Sequence, residues 1–163
     1  MTAVISNKPE TINFEIQQGV TLAFTLTWAT QPSKEDAEAV ANYIQDTAPL
    51  SGMTTGNKWY DSTGGVLYEY NGSAWVVDGL IDLTGCTASL NFKTAHTDVA
   101  NLYSMTTANS KLTLGGVAGT ISGKIADEDS AAFDFTKAVC KLLVNFNNGD
   151  VFCVSKGSVS VIV

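Results

Sequence analysis

Val20-Thr-Leu-Ala-Phe-Thr-Leu-Thr-Trp28 decides the fold. Val20, Leu22, Phe24, Leu26 and Trp28 fall on one face of an extended run and Thr21, Ala23, Thr25 and Thr27 on the other, the period of a strand that covers a core. The same alternation returns upstream at Ile12, Phe14 and Ile16, and downstream at Cys86, Ala88, Leu90 and Phe92. Further strands are expected near 99–106, at 111–114, through Ile121 and Ile125, at 138–146, at 151–155 and at 158–163, with one helical turn within 126–133. Asn147-Asn-Gly-Asp150 is the strongest hairpin signal. With Asn148-Gly149 as a two-residue turn, Val144 faces Cys153, Phe146 faces Val151, and Cys140 and Cys153 share a face about 13 Å apart, too far for a disulfide.

A different kind of segment interrupts the pattern. Pro32-Ser33 followed by Asp36 reads as a capped helix start, with Ala37, Val40, Ala41 and Ile44 at helical spacing and Pro49 as the stop. Trp59, Tyr60, Tyr68, Tyr70 and Trp75 follow, broken at Asp61-Ser-Thr-Gly-Gly65 and Asn71-Gly72, which reads as a three-stranded meander. Gln31 to Gly79 holds two lysines against seven carboxylates, a net −5 of the chain's −7. The division expected is therefore a β-sandwich from 1–30 and 80–163 with an acidic insert at 31–79. Without the insert, about 114 residues carry seven to nine strands, the scale of an immunoglobulin-like antiparallel sandwich. The fold class expected is all-β.

Composition limits function. All nine basic residues are lysines, spread along a chain with sixteen carboxylates, which argues against nucleic acid and rules out an arginine clamp. The first twenty residues, with Pro9, Glu10 and Glu15, lack the pattern of a signal peptide, and no apolar run is long enough for membrane insertion, so synthesis in a cytoplasm is expected. Cys86, Cys140 and Cys153 are then expected as buried free thiols.

Catalytic parts are few. His96 is the only histidine, and its setting beside Asp98 reads as a solvated loop rather than a general base. Gly115-Gly-Val-Ala-Gly119 lies between strands and reads as a turn rather than a phosphate cradle. Asp127-Glu-Asp129, with Asp134 nearby, could hold a hard cation such as calcium; the spacing matches no EF-hand, and carboxylates opening a short helix complement its dipole. Asn71-Gly-Ser73 is formally a glycosylation sequon and reads as a turn. No catalytic residue, metal or cofactor is expected, and the chain is expected not to be an enzyme. The five insert aromatics either build a small core or present stacking faces to a partner or a sugar. As a partner-binding patch, Trp59, Tyr60, Tyr68, Tyr70 and Trp75 are the candidates. The polar arm from Met1 to Thr11 is a second candidate, extended and free to order on a neighbour.

Three stretches carry a family resemblance: Ile81-Asp-Leu-Thr-Gly-Cys-Thr-Ala88, Lys111-Leu-Thr-Leu-Gly-Gly-Val-Ala-Gly-Thr-Ile121, and the closing Ser155-Lys-Gly-Ser-Val-Ser-Val161. With Gln17-Gln-Gly-Val-Thr-Leu-Ala-Phe24 they resemble a family of small tailed-bacteriophage virion proteins. Gly56-Asn-Lys-Trp-Tyr-Asp61 and Gly65-Val-Leu-Tyr-Glu-Tyr-Asn-Gly-Ser-Ala-Trp75 resemble the aromatic meanders of phage tail fibres. The resemblance implies a non-enzymatic virion subunit in the tail, as a baseplate or fibre adaptor. It would bind tail, baseplate, fibre or major capsid proteins and repeat as a homo-oligomer. A capsid decoration (cement) protein and a glycan-binding module are the alternatives.

Overall fold

The computed structural model describes residues 2–5 and 10–163, with 2–5 and 10 by backbone path alone. In chain order the strands are β1 (Thr2–Ile5), β2 (Glu10–Thr11), β3 (Phe14–Gln17) and β4 (Leu22–Trp28). Helix α1 (Lys34–Val40) comes next, then β5 (Tyr43–Gln45), β6 (Lys58–Asp61), β7 (Val66–Tyr70) and β8 (Trp75–Val77). The remainder is β9 (Thr87–Lys93), β10 (Tyr103–Thr106), β11 (Leu112–Leu114), β12 (Thr120–Ile125), helix α2 (Asp127–Ala131), β13 (Lys137–Asn145) and β14 (Val151–Ile162). The protein is all-β with two short helices, and it divides into two compact units. One joins the chain up to Trp28 with Ile81–Val163, and the other is Ala29–Leu80.

The first unit has two sheets, ordered β1-β4-β12-β11 and β10-β9-β13-β14-β2, with β3 beside β14. Ten strands take part among the described residues, more than the seven to nine expected. The extra ones come from the amino-terminal arm. Thr2–Ile5 pairs in parallel with β4 and Glu10–Thr11 with β14, so these parts of the arm are strands rather than free chain. Met1 and residues 6–9 lie outside the described residues.

Alternation explains why the two sheets share one core. Phe24, Leu26 and Trp28 from β4 meet Phe14 and Ile16 from β3, Leu90 and Phe92 from β9, Ile121 and Ile125 from β12, and Leu142 and Val144 from β13. The Phe14 ring lies 5.1 Å from Phe24 and 6.1 Å from Phe92, which ties the sheets together at one point. Fully burying each such side chain contributes about 1.5–3 kcal/mol.

The hairpin differs from its expected register. Gly149, at φ 91°, is the residue of the turn in the left-handed region, and the Phe146 carbonyl accepts from its N–H at 3.0 Å while the Phe146 N–H donates to Asp150. A turn with positive φ at one residue only is one residue longer than the Asn-Gly turn of type I′. Leu143 therefore faces Cys153 and Val144 faces Phe152, and a bulge between Leu142 and Leu143 restores the other register beyond it. Cys140 points into the core, while Cys153 lies opposite half-buried Leu143 on the outer face, so the two cysteines do not share a face. The two expected terminal strands are one strand, Val151–Ile162, carried through by that bulge.

The pairing also gathers lysines that are far apart in sequence. Lys93, Lys137 and Lys141 occupy positions of β9 and β13 that alternate with buried residues, and exposed Lys156 pairs with Lys141, so all four lie on the outer face of one sheet.

In the second unit, α1 is only seven residues long and ends at Val40. Ser33 caps it, accepting from the Asp36 N–H at 3.2 Å and donating to the Asp36 carboxylate at 2.7 Å. The stripe expected to run on to Ile44 stops because Ile44 lies in β5, which pairs in parallel with β6. The meander β6-β7-β8 is therefore four-stranded with β5. Its turns follow the side chains: Asp61 Oδ1 accepts from Thr63 and Gly64, and Asn71 Oδ1 accepts from Ser73 and Ala74. Lys58 joins Asp78 at 2.6 Å and Glu69 at 3.1 Å, pairing with two of the carboxylates.

Gly157 tests how the amino-terminal segment is held. A Cβ at this position would fall on the Ile12 carbonyl, and the Ile12 N–H donates to Lys156 at 3.1 Å. Gly157→Ala is expected to destabilise the first unit by about 1–3 kcal/mol through this backbone clash, whereas Gly149→Asn should cost less. Urea unfolding followed by tryptophan fluorescence measures both.

Candidate functional site

Strand pairing assigns the aromatic residues of the second unit to two faces. Tyr43, Trp59, Tyr68, Tyr70 and Trp75 lie on one face, because Tyr43 pairs with Trp59, Trp59 with Tyr68 and Tyr70 with Trp75. Tyr60 lies on the other, with Leu67 and Ala37 of α1 in a small buried cluster. The five candidate residues thus divide. Trp59 and Tyr60 are buried, at 7% and 6% exposure, on opposite faces, while Tyr68, Tyr70 and Trp75 keep part of their surface open.

The aromatic face is fixed by ring contacts. Trp59 stacks on Tyr68 at 4.7 Å and meets Trp75 edge-on at 5.9 Å; Trp75 in turn touches Tyr70 at 5.3 Å and Tyr43 at 5.9 Å. Each such pair contributes about 0.5–1.5 kcal/mol beyond area burial. The indole N–H groups are already committed. Trp59 donates to Gln45 O at 3.0 Å and Trp75 to Pro49 O at 3.1 Å, while the Tyr43 hydroxyl donates to Gly52 O at 3.0 Å. What remains open is a ledge of Tyr68, Tyr70 and Trp75 whose rings cannot rotate freely. Asp61 sits on the same face, and burial, then the Asp61 charge, push the Tyr68 phenol above its ordinary range. The ledge can stack flat or edge-on against an apolar or sugar face, and the Tyr68 and Tyr70 hydroxyls have no hydrogen-bond partner among the described residues.

The first unit has an apolar recess that sequence reasoning missed. Trp28, Ile81, Phe146 and Phe152, with Asn148 and Asp150, line a recess of about 460 Å³. The three rings lie 5.4–6.0 Å apart, and Phe152 is 48% exposed. Trp28 Nε1 is buried without a hydrogen-bond partner among the described residues. That nitrogen is out of reach of the surface, so the floor of the recess offers apolar contact and its polar groups are Asn148 and Asp150. The signal in sequence was Phe146 and Phe152 flanking the hairpin, but the register slip hid their joint approach to Trp28.

The remaining sequence candidates hold the fold. His96 is exposed, and the Asp98 carboxylate accepts from the Ala95 N–H at 2.8 Å instead of orienting the imidazole. Gly115–Gly119 is a turn: Gly116–Ala118 forms a short 3-10 helix, and the Gly115 N–H donates to Thr120 O at 2.8 Å. Asp127 and Asp129 open α2, and Asp129 takes part in a three-way cluster. Lys111 Nζ donates to Asp129 at 2.7 Å and to the Tyr103 hydroxyl at 3.0 Å, and that hydroxyl donates to Asp129 at 2.9 Å. Among the described residues, no group of three or more His, Cys, Asp or Glu side chains is placed to hold a metal ion. The three cysteines are free, but only Cys140 is buried; burial pushes its thiol up to about 11, while Cys86 and Cys153 are half-buried.

These assignments have two measurable consequences. The hydrogen bond from Lys111 holds the Asp129 carboxyl below its ordinary value of 3.8, against desolvation. The stabilisation it brings is complete above that value and is lost as pH falls through the lowered one. Asp129→Asn should cost about 1 kcal/mol at pH 7 and flatten the acid limb of the stability profile, as followed by chemical denaturation from pH 2 to 7. Separately, a disulfide reagent such as Ellman's at neutral pH should titrate Cys86 and Cys153 in the folded protein, and Cys140 only on unfolding.

The chain matches no model of a known protein family, and comparison with curated proteins finds no relative.

Proposed function

We propose that this chain is a non-enzymatic structural subunit of a tailed-bacteriophage particle, placed in the tail as a baseplate or fibre adaptor. The ledge of Tyr68, Tyr70 and Trp75 supports this reading: three part-exposed rings held in place by four ring contacts and two indole hydrogen bonds. Pre-ordered aromatic groups lose little entropy on docking, which suits a contact between rigid subunits. Trp59 and Tyr60 support the ledge from within and are not contact residues in this reading.

The strand order is a second support for the family resemblance. In β1-β4-β12-β11 and β10-β9-β13-β14, with β2 and β3 both beside β14, the amino-terminal strands β1, β2 and β3 pair in parallel and the remaining pairs are antiparallel. We infer that this is an immunoglobulin-like sandwich, with the acidic unit inserted in the connection between β4 and β9. A long insertion on a rigid scaffold is where such domains carry partner contacts.

A glycan-binding reading is favoured by one observation, the Tyr68 and Tyr70 hydroxyls without a hydrogen-bond partner among the described residues, which could hydrogen-bond a sugar stacked on the rings. Gold labelling of intact particles distinguishes the placements. Label at the tail tip or baseplate is expected; label spread over the head assigns the chain to capsid decoration, and particles without label overturn the virion reading. Tyr68→Ser/Tyr70→Ser should leave the first unit's unfolding transition unchanged and reduce incorporation into particles at least about tenfold, a loss of about 1.4 kcal/mol. Unchanged incorporation would remove the ledge from the interface. Quenching of tryptophan emission by millimolar host polysaccharide would instead favour the glycan reading.

A further inference from the structure

The outer face of the β9-β13-β14 sheet is cationic in a protein of net charge −7. Lys141 stands directly opposite Lys156, Lys93 opposite Val139, and Lys137 opposite Ser160. Like charges facing each other across paired strands destabilise a sheet. The lysines that form ion pairs among the described residues are Lys34, Lys58 and Lys111, none of them on this face. Lys93 donates to the Asp98 carbonyl at 2.6 Å, and Glu15, opposite Ser160 on β3, brings a carboxylate to the face's edge. Half-buried Val139 and Leu143 lie among the lysine stems. Among the described residues no carboxylate pairs with Lys141 or Lys156, so the face combines their repulsion with apolar surface that a partner could cover.

The complementary charge lies in the second unit. Its net charge is −5, and three of its seven carboxylates are already taken: Glu38 by Lys34, Glu69 and Asp78 by Lys58. Exposed Glu35 and Asp36 open α1, and exposed Asp46 follows β5, all without a lysine partner among the described residues. We propose that the lysine face of β9, β13 and β14 docks the exposed carboxylates of the second unit, Glu35 and Asp46 foremost, in a second copy of this chain. The two surfaces differ, so the contact is head-to-tail, and each copy keeps one lysine face and one acidic surface to extend the assembly into a ring or filament. Docking relieves the Lys141–Lys156 repulsion that the free chain carries. This contact does not depend on the aromatic ledge and stands or falls separately from it.

Sedimentation velocity of the full chain, at about 20 mM and about 500 mM salt, tests the contact. Expected is concentration-dependent association at low salt that weakens at least about tenfold at high salt. Lys141→Glu/Lys156→Glu and Glu35→Lys/Asp46→Lys should each be monomeric, and an equimolar mixture of the two should associate, since each supplies the surface the other has lost. Lys141→Gln/Lys156→Gln replaces the reversal if circular dichroism shows that it disturbs folding. Lys141→Glu alone, which turns a repulsive pair into an attractive one, should raise the melting temperature. A monomeric wild type at low salt, association that survives loss of the lysines, or no rescue on mixing would overturn the proposal. So would retention on heparin or duplex DNA without self-association, which would assign the face to a polyanion.

Discussion

The contact of Phe14 with Phe24 and Phe92 is the constraint on which the first unit rests. Phe24 belongs to one sheet and Phe92 to the other, while Phe14 sits on β3, one tight turn before the chain changes sheets at β4. The chain can make that change only if the residues on both sides of the turn point to the same interior. The two-residue period fixes this: Phe14 and Ile16 before the turn and Phe24, Leu26 and Trp28 after it all face inward. A slip of one residue in either strand would expose every one of these side chains.

That period made much of the first unit legible in sequence. Strands whose apolar residues alternate cleanly, such as Leu22–Trp28, Thr87–Lys93 and Thr120–Ile125, lie where the pattern put them, except that Val20, expected on the core face, precedes its strand and is exposed. The details that escaped were those decided by partners rather than by local pattern. The hairpin turn contains Asn148-Gly149, yet only Gly149 takes positive φ, and the one-residue difference moved Cys153 to the outer face. The bulge at Leu142/Leu143 could not be read, because it buries both Val154 and Ser155 and so breaks the alternation that would reveal it. Ile44 looked helical because its spacing from Ala37 and Ala41 fits a 3.6-residue period; pairing of Tyr43–Gln45 with β6 outweighed that narrow stripe.

The aromatic ledge was half legible. Clustering of five aromatic residues between 59 and 75 was plain, but neighbours in sequence go to opposite faces of a strand, so Trp59 and Tyr60 could never have formed one surface. Tyr43, which belongs to the ring cluster, was hidden in a stretch that read as helix. The lysine face was not legible at all. Lys93, Lys137, Lys141 and Lys156 are separated by up to 63 positions, and only the order β9-β13-β14 brings them together. Net charge and linear spacing therefore gave the wrong impression of a chain without concentrated positive charge.

Charge placement follows a consistent physical logic across the two units. Where a lysine serves the fold it is paired and partly buried: Lys58 with Glu69 and Asp78, Lys111 with Asp129 and Tyr103. For both, burial works against the charge and the carboxylate partners outweigh it, so the ammonium is held more firmly than in water. The lysines of the outer sheet face have no such partners among the described carboxylates, and two of them oppose each other. Replacing Lys141 by a neutral residue would relieve that repulsion by about 0.2–1 kcal/mol without touching the core. Paired lysines thus hold both units, whereas Lys141 and Lys156 keep a repulsion that the proposed head-to-tail contact would relieve.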